Sequence, residues 1–227
     1  MKSSKKLKDV GLEPSLSTAF IALAGVMGVG KSSLARVLAE KISVTEFIEP
    51  EADAWPVPEG EDWEEHVFNL EQWVRETHLD YFKDARQLAE QGRGSVADGG
   101  LFLLAKEFMD DPACQFYYGL MNESELKQVR QFAESDWNEA PCPDVLVLLE
   151  TDFETWRRFL LSRGRSMDTN KNFIDHYAGQ QQVIKIAANK YAEEKGIKLV
   201  TFTNTFSNIT INASRLHDEI ILAVNGG

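Results

Sequence analysis

Thr18-Ala-Phe-Ile-Ala-Leu-Ala24-Gly25-Val-Met-Gly-Val-Gly30-Lys31-Ser32 is the stretch that decides the fold. Its first half is a short apolar run, the pattern of a buried strand, and Ser32 to Ile42 continues with helical spacing through Leu34, Val37, Leu38 and Ile42. Between them, Gly25 to Ser32 fits G-x-x-x-x-G-K-[ST] at every fixed position. In the order strand, glycine loop, helix, that pattern has a physical use. The glycines let the backbone curl so that successive N–H groups face phosphate oxygens beside the positive end of the following helix.

Outward from this loop the chain alternates strands and helices. Val44 to Ile48 reads as a strand closed by Pro50, and a loop with Pro50, Pro56 and Pro58 leads to a long helix from about Asp62 to Gln91. Ser95 to Asp98 reads as a short strand before Gly99-Gly100, and the apolar run from Leu101 to Phe108 begins another helix. Asn122 and Glu125 have the spacing of a capping box. Asp144 to Leu149 lacks polar alternation, which predicts a central strand buried on both faces. Helices follow from Thr151 or Asp152 to about Ser162, over Phe173 to Lys195 and over Thr210 to Val224, with a last strand at Lys198 to Phe202. The expected fold is α/β: a three-layer P-loop fold with a five-stranded parallel sheet, helices on both faces and an arginine-containing lid. Residues 1–14 read as a tail and 15–227 as a single domain built on this loop.

Composition narrows the partners. The 227 residues carry a formal charge of −12, which disfavours nucleic acid because phosphate backbones are held by excess Lys and Arg. No segment has the eighteen or so apolar residues of a membrane span, and the basic start lacks the apolar core and cleavage site of a signal peptide. Cys114 and Cys142 are too few and too loosely placed for a disulfide framework or a zinc site, which points to a reducing compartment, the cytoplasm.

The loop residues Gly25, Met27, Gly28, Val29, Gly30, Lys31, Ser32 and Ser33 are the expected ATP-binding set, since no Asn-Lys-x-Asp guanine signature is present: Asn189-Lys190 runs into Tyr191-Ala192. Lys31 is expected at the β and γ phosphates and Ser32 at Mg2+, with Asp98, at the carboxyl end of its strand, as the second metal-side group. Glu49, fixed by Pro50 at another strand end, is placed to act as general base on an acceptor hydroxyl. Arg163 and Arg165, with Arg157 and Arg158 shortly before them, form a basic cluster suited to closing over a transferring phosphoryl group, with Ser166 to Asn172 as a flap. Trp55, Trp63, Phe68, Trp73, Tyr81 and Phe82 gather around the proline loop and the long helix, where a flat acceptor could stack and where about half of them should be core.

Taken in order, these residues resemble the deoxynucleoside kinase family, part of the thymidylate-kinase-like group, from about Phe20 to Phe202. The family pattern has a phosphate loop, a Glu-Pro after the second strand, a Gln and an Arg seven apart on the next helix, an acidic-Arg-Ser triplet and an Arg-Gly-Arg lid. Here the loop is intact, Glu49-Pro50 matches, and Glu154-Thr155 followed by Arg163-Gly164-Arg165 keeps the lid spacing. The resemblance implies ATP and Mg2+ as cofactors and transfer to the 5′-hydroxyl of a (deoxy)nucleoside or related small hydroxyl compound. It makes Glu49 the base, puts Asp168 where an acid touches the sugar, counts Phe102 with the acceptor residues, and implies a homodimer built on the long helices. Three features of the pattern depart. The triplet reads Asp98-Gly99-Gly100, the base-reading pair falls on Glu71 and His78, and Phe159 replaces an earlier lid arginine. A nucleoside monophosphate kinase of the same fold and a non-catalytic nucleotide-binding homologue are the competing readings. The first needs extra cations for the acceptor phosphate where Glu71 and Asp98 are acidic; the second is favoured by the lost triplet arginine and opposed by Lys31, Ser32 and Glu49.

Overall fold

The computed structural model describes residues 16–51, 54–59, 61–163 and 171–225. The expected tail at 1–14 lies outside them. Five parallel strands form one sheet in the order β2-β3-β1-β4-β5: β1 Phe20–Ala24, β2 Thr45–Phe47, β3 Ser95–Asp98, β4 Val145–Glu150 and β5 Lys198–Thr203. The helices are α1 Lys31–Ile42, α2 Val67–Glu90, α3 Ala105–Phe108, α4 Gln115–Tyr118, α5 Glu123–Glu139, α6 Phe153–Arg163, α7 Lys171–Asp175, α8 Tyr177–Lys195 and α9 Ile209–Asn225.

The apolar run before the glycine loop becomes β1, the central strand, with every residue buried. The strand expected at the centre, β4, stands one place away between β1 and β5, and it too is covered, which is why its sequence shows no alternation. The register fixes the site. Leu23 pairs with Asp98 and Ala24 with Leu148, so the carboxyl ends of β1, β3 and β4 finish side by side, and Phe47 of β2 pairs with Ala97. Loops leaving those ends converge on one edge, where ligands bind in parallel sheets.

Several elements differ from the sequence expectation for local reasons. The long helix begins at Val67, because Asp62 caps a separate tight turn over Trp63–His66, its Oδ1 accepting from the Glu64 N–H at 3.2 Å. The Leu101 to Phe108 run is a tight turn at Phe102–Leu104 and one α turn, not a continuous helix. The helix expected from Phe173 is broken at His176, and α4 had no periodic signal to announce it. The capping box at Asn122 and Glu125 is complete. Of the two candidates for the start of α6, Asp152 accepts the Thr155 N–H, at 2.9 Å.

Packing on the sheet is aromatic. Phe82 of α2 is fully buried between Phe20 and Phe102, edge to face with each, with ring centroids 4.9 and 5.0 Å away. A fully buried Phe contributes about 1.5–3 kcal/mol relative to an exposed one, and here it also anchors α2 against β1. Trp156 of α6 stacks on Tyr177 of α8 at 4.2 Å, which ties the two helices together beneath the glycine loop.

Candidate functional site

The glycine loop is held by side chains from distant elements. Trp156 Nε1 donates to the Met27 carbonyl and Asn204 Nδ2 to the Val29 carbonyl, each at 2.9 Å. Asn204 is itself fixed by Asn212 Nδ2, which donates to its Oδ1 at 2.9 Å. With carbonyls of the loop engaged in this way, its shape is set before any ligand arrives. Gly30 has φ +92, and a Cβ there would come within 2.7 Å of Asn204 Nδ2, so both the backbone angle and the anchoring contact require glycine. Lys31 Nζ donates to the Gly25 and Val26 carbonyls at 3.2 and 3.3 Å. The ammonium is thus held at the mouth of the loop by weak, exchangeable partners.

A cavity of about 780 Å³ opens from this loop. Met27, Gly28, Gly30, Lys31, Ser32 and Ser33 line one end, together with Arg163 at the end of α6, Phe159 and Asn204. Glu49, Trp55, Glu71, His78 and Phe102 line the other, so the structure brings together most of the residues selected from sequence. Trp63, Phe68, Tyr81, Phe82, Arg157 and Arg158 do not line it, and neither do Gly25, Val29, Trp73 and Asp98. Val29 is fully buried and its N–H bonds back to Val26 O; its branched side chain belongs to the core. Gly25 is tucked under Leu149, whose carbonyl oxygen a Cβ would meet at 2.6 Å. Trp73 is two positions from Glu71, and at 3.6 residues per turn it faces the opposite side of α2. Asp98 is fully buried behind Ser32, so it touches the cavity through that residue and is not placed to contact an acceptor. Arg165 and Asp168 lie outside the described residues. Lys106 of α3 is paired with Glu134 at 3.0 Å.

Ser32 Oγ donates to Asp98 Oδ2, while Asp98 Oδ1 is buried with no hydrogen-bond partner among the described residues. Mg2+ takes one or two protein oxygens and completes its shell with water and phosphate. A hydroxyl and a carboxylate oxygen with spare acceptor capacity, adjacent to the phosphate loop, fit that ion. Among the described residues no three His, Cys, Asp or Glu side chains gather as a closed metal site.

Glu71 and His78, paired by sequence reasoning, do different things. Seven residues separate them, about 10 Å along the helix. Glu71 faces α4: Tyr118 Oη donates to its Oε1 at 3.4 Å and Tyr117 also hydrogen-bonds to it. Burial pushes its carboxyl up to about 7, against the lowering effect of the two tyrosines and Arg75, with Asp136 adding a small rise. Arg75 is itself clamped by Asp136 at 2.5 Å through two parallel bonds. His78 sits beside Glu49, its Nε2 3.6 Å from Glu49 Oε2. Burial pushes the imidazole down to about 4; Asp98 opposes that shift and Lys31 adds to it, so the ring is neutral at neutral pH.

Sequence reasoning missed Tyr117, Tyr118, Arg75, Asp136, Trp156 and Asn204. The run Phe116-Tyr117-Tyr118 and the i, i+4 spacing of Glu71 and Arg75 were visible signals. The anchoring of the loop by Trp156 and Asn204 spans 129 and 175 residues, and nothing local announces it.

No protein-family model matches the chain. Among solved structures it is similar to a deoxyadenosine kinase from M. mycoides with bound dATP (TM-score 0.54, 15% identity, 89% of this chain and 99% of that one). It is also similar to a thymidylate kinase from Candida albicans (TM-score 0.58, 18% identity, 92% of each chain). These share the fold. A deoxyadenosine/deoxycytidine kinase of Bacillus subtilis (strain 168) is 30% identical over 156 residues, which cover 65% of this chain and 67% of that protein. With that identity across two thirds of a known kinase, and with the phosphate loop intact, the chain belongs to the deoxynucleoside kinase family of ATP-dependent P-loop kinases.

Proposed function

We propose that this enzyme transfers the γ-phosphoryl group of ATP to the 5′-hydroxyl of a (deoxy)nucleoside, with Glu49 as general base. The observation that carries this is the continuity of one cavity. The phosphate loop lines one end, Glu49 stands along the wall, and a pocket with Glu71, Tyr117, Tyr118 and Phe102 closes the other. Its volume suits a nucleoside beside a nucleotide's phosphates.

Lys31 exchanges its two loop carbonyls for phosphate oxygens, and Arg163 adds charge from the end of α6. Ser32 and Asp98 would hold Mg2+, which would supply neutralising charge for the phosphates. Glu49 orients the acceptor hydroxyl and takes its proton. Glu71 and its tyrosines read the acceptor's base. Protonated, its carboxyl offers one donor and one acceptor, as an amide does; ionised, it offers acceptors alone.

The relative's name makes deoxyadenosine and deoxycytidine the first acceptors to try. Phosphoryl transfer is measured across a nucleoside panel, with thermal shift in parallel, since a ligand that binds the native state raises the melting temperature by mass action. Glu49→Gln is expected to bind ATP and the active nucleoside normally and to lose about a hundredfold or more in kcat. Unchanged turnover would remove Glu49 from the chemistry. A wild type that turns over nucleoside monophosphates and no nucleoside would overturn the acceptor assignment.

A further inference from the structure

His78 is 3% exposed, and neither ring nitrogen has a hydrogen-bond partner among the described residues. Buried polar atoms are almost always paired, and an unpaired one costs free energy that a fold bears only for a reason. The surroundings of this ring supply one. Phe102 and Tyr81 flank it, with centroids at 6.1 and 6.3 Å, and fix its position by packing. A third side of the ring rests on Gly99. There φ is +110, and a Cβ would lie 2.4 Å from His78 Cδ2 and 2.6 Å from Nε2. The space a side chain after Asp98 would take is therefore occupied by the imidazole.

From that place Nε2 looks toward Glu49, whose Oε2 is 3.6 Å away, a few tenths of an ångström beyond a hydrogen bond. We infer that His78 positions the base: in the loaded enzyme Nε2–H donates to Glu49 Oε2 and holds the carboxylate so that its other oxygen takes the proton of the acceptor hydroxyl. This rests on Glu49 being the base. The hydroxyl proton passes to Glu49, the electron pair left on oxygen forms the bond to the γ-phosphorus, and ADP departs with the pair from the broken P–O bond. His78 exchanges no proton. A neutral imidazole with one N–H suits that role, and a charge-assisted bond to a carboxylate is among the stronger hydrogen bonds available.

The test is a double-mutant cycle in the full chain with ATP, Mg2+ and the best nucleoside of the panel. His78→Phe keeps a ring and removes the donor, and it is expected to lower kcat by about 10- to 100-fold with both KM values within about twofold. His78→Gln, which returns an N–H, is expected to recover most of the loss. In the Glu49→Gln background, His78→Phe is expected to cost less than about threefold, because two residues acting as one unit are not additive. If His78→Phe does not fold, as judged by circular dichroism, His78→Asn takes its place; its amide is drawn back from Glu49 by one carbon. Equal losses in both backgrounds, or a Gln variant no better than Phe or Asn, would overturn the inference. A wild type that phosphorylates no nucleoside overturns the acceptor reading as well, and it is seen in the wild-type arm before any variant is compared.

Discussion

Lys31 was singled out by its position in the glycine-loop pattern. Among the described residues its ammonium donates to two carbonyls of its own loop, at 3.2 and 3.3 Å, and its side chain lines the cavity. Lys31→Ala is therefore expected to abolish phosphoryl transfer while shifting the melting temperature of the nucleotide-free protein by no more than about 2 °C, the scale of a surface substitution. Activity and thermal denaturation measured on the same preparation check both halves. Glu71 is the opposite case. Its identity was legible, but its protonation is set by burial, which the bonds from Tyr117 and Tyr118, more than forty residues away, only partly oppose. A carboxyl whose native pKa is raised to about 7 keeps its proton after the unfolded chain has released its own near 4.5. Between those values the native state binds more protons, so this group's contribution to stability falls as pH rises and is level above about 7. Glu71→Gln removes that dependence. Relative to wild type, the variant should be more stable at pH 8 than it is at pH 5, and melting curves at the two pH values decide the matter; an equal difference at both would mean that Glu71 ionises normally.

At the scale of elements, what was legible is what is local. β3 was read to the residue because Ser95–Asp98 ends at two glycines, and α5 because Asn122 and Glu125 announce its start. That cap satisfies the Ser124 and Glu125 N–H groups at 2.9 and 3.1 Å, while Glu125 returns a bond to the Asn122 N–H at 2.9 Å. Asn122→Ala is expected to cost about 1 kcal/mol, read by urea denaturation with an unchanged slope. Its influence should reach the acceptor pocket only weakly, because Asp136, the residue of α5 that matters there, lies more than three turns away near the other end of the helix. Elements whose limits are set by tertiary contact were not legible. The break at His176 separates α7 from α8, where Phe173 and Tyr177 both pack on Trp156, an arrangement that helical periodicity alone cannot express. Trp73 fails in the same way: its residue type suggested an acceptor wall, but the face of α2 that meets the cavity is the one bearing Glu71, Val74 and His78.

For the molecule as a whole, the parallel sheet does the positioning and the cavity does the binding, and the two are separable. The register that aligns Leu23 with Asp98 depends on backbone pairing and on a core running from Phe20 through Phe82 to Trp156, none of which involves a ligand. Ser32 and Asp98, proposed here as the metal-side pair, are bonded to each other, and among the described residues no group of three or more metal-ligating side chains is present to add protein ligands. Under the proposed reading, affinity for Mg2+ would come mostly from nucleotide phosphates, since this ion dehydrates reluctantly and prefers phosphate and water around one or two protein oxygens. Removing it should separate fold from function. In excess EDTA without nucleotide, the melting temperature and far-ultraviolet circular dichroism should match those in Mg2+. Adding ATP should raise the melting temperature substantially in Mg2+ and much less in EDTA, with transfer lost in EDTA and recovered when Mg2+ is returned, because only a ligand that binds the native state shifts its equilibrium. A ligand-free protein that loses several degrees in EDTA would instead require a metal built into the fold, and the pair at Ser32 and Asp98 could not be its only protein ligands.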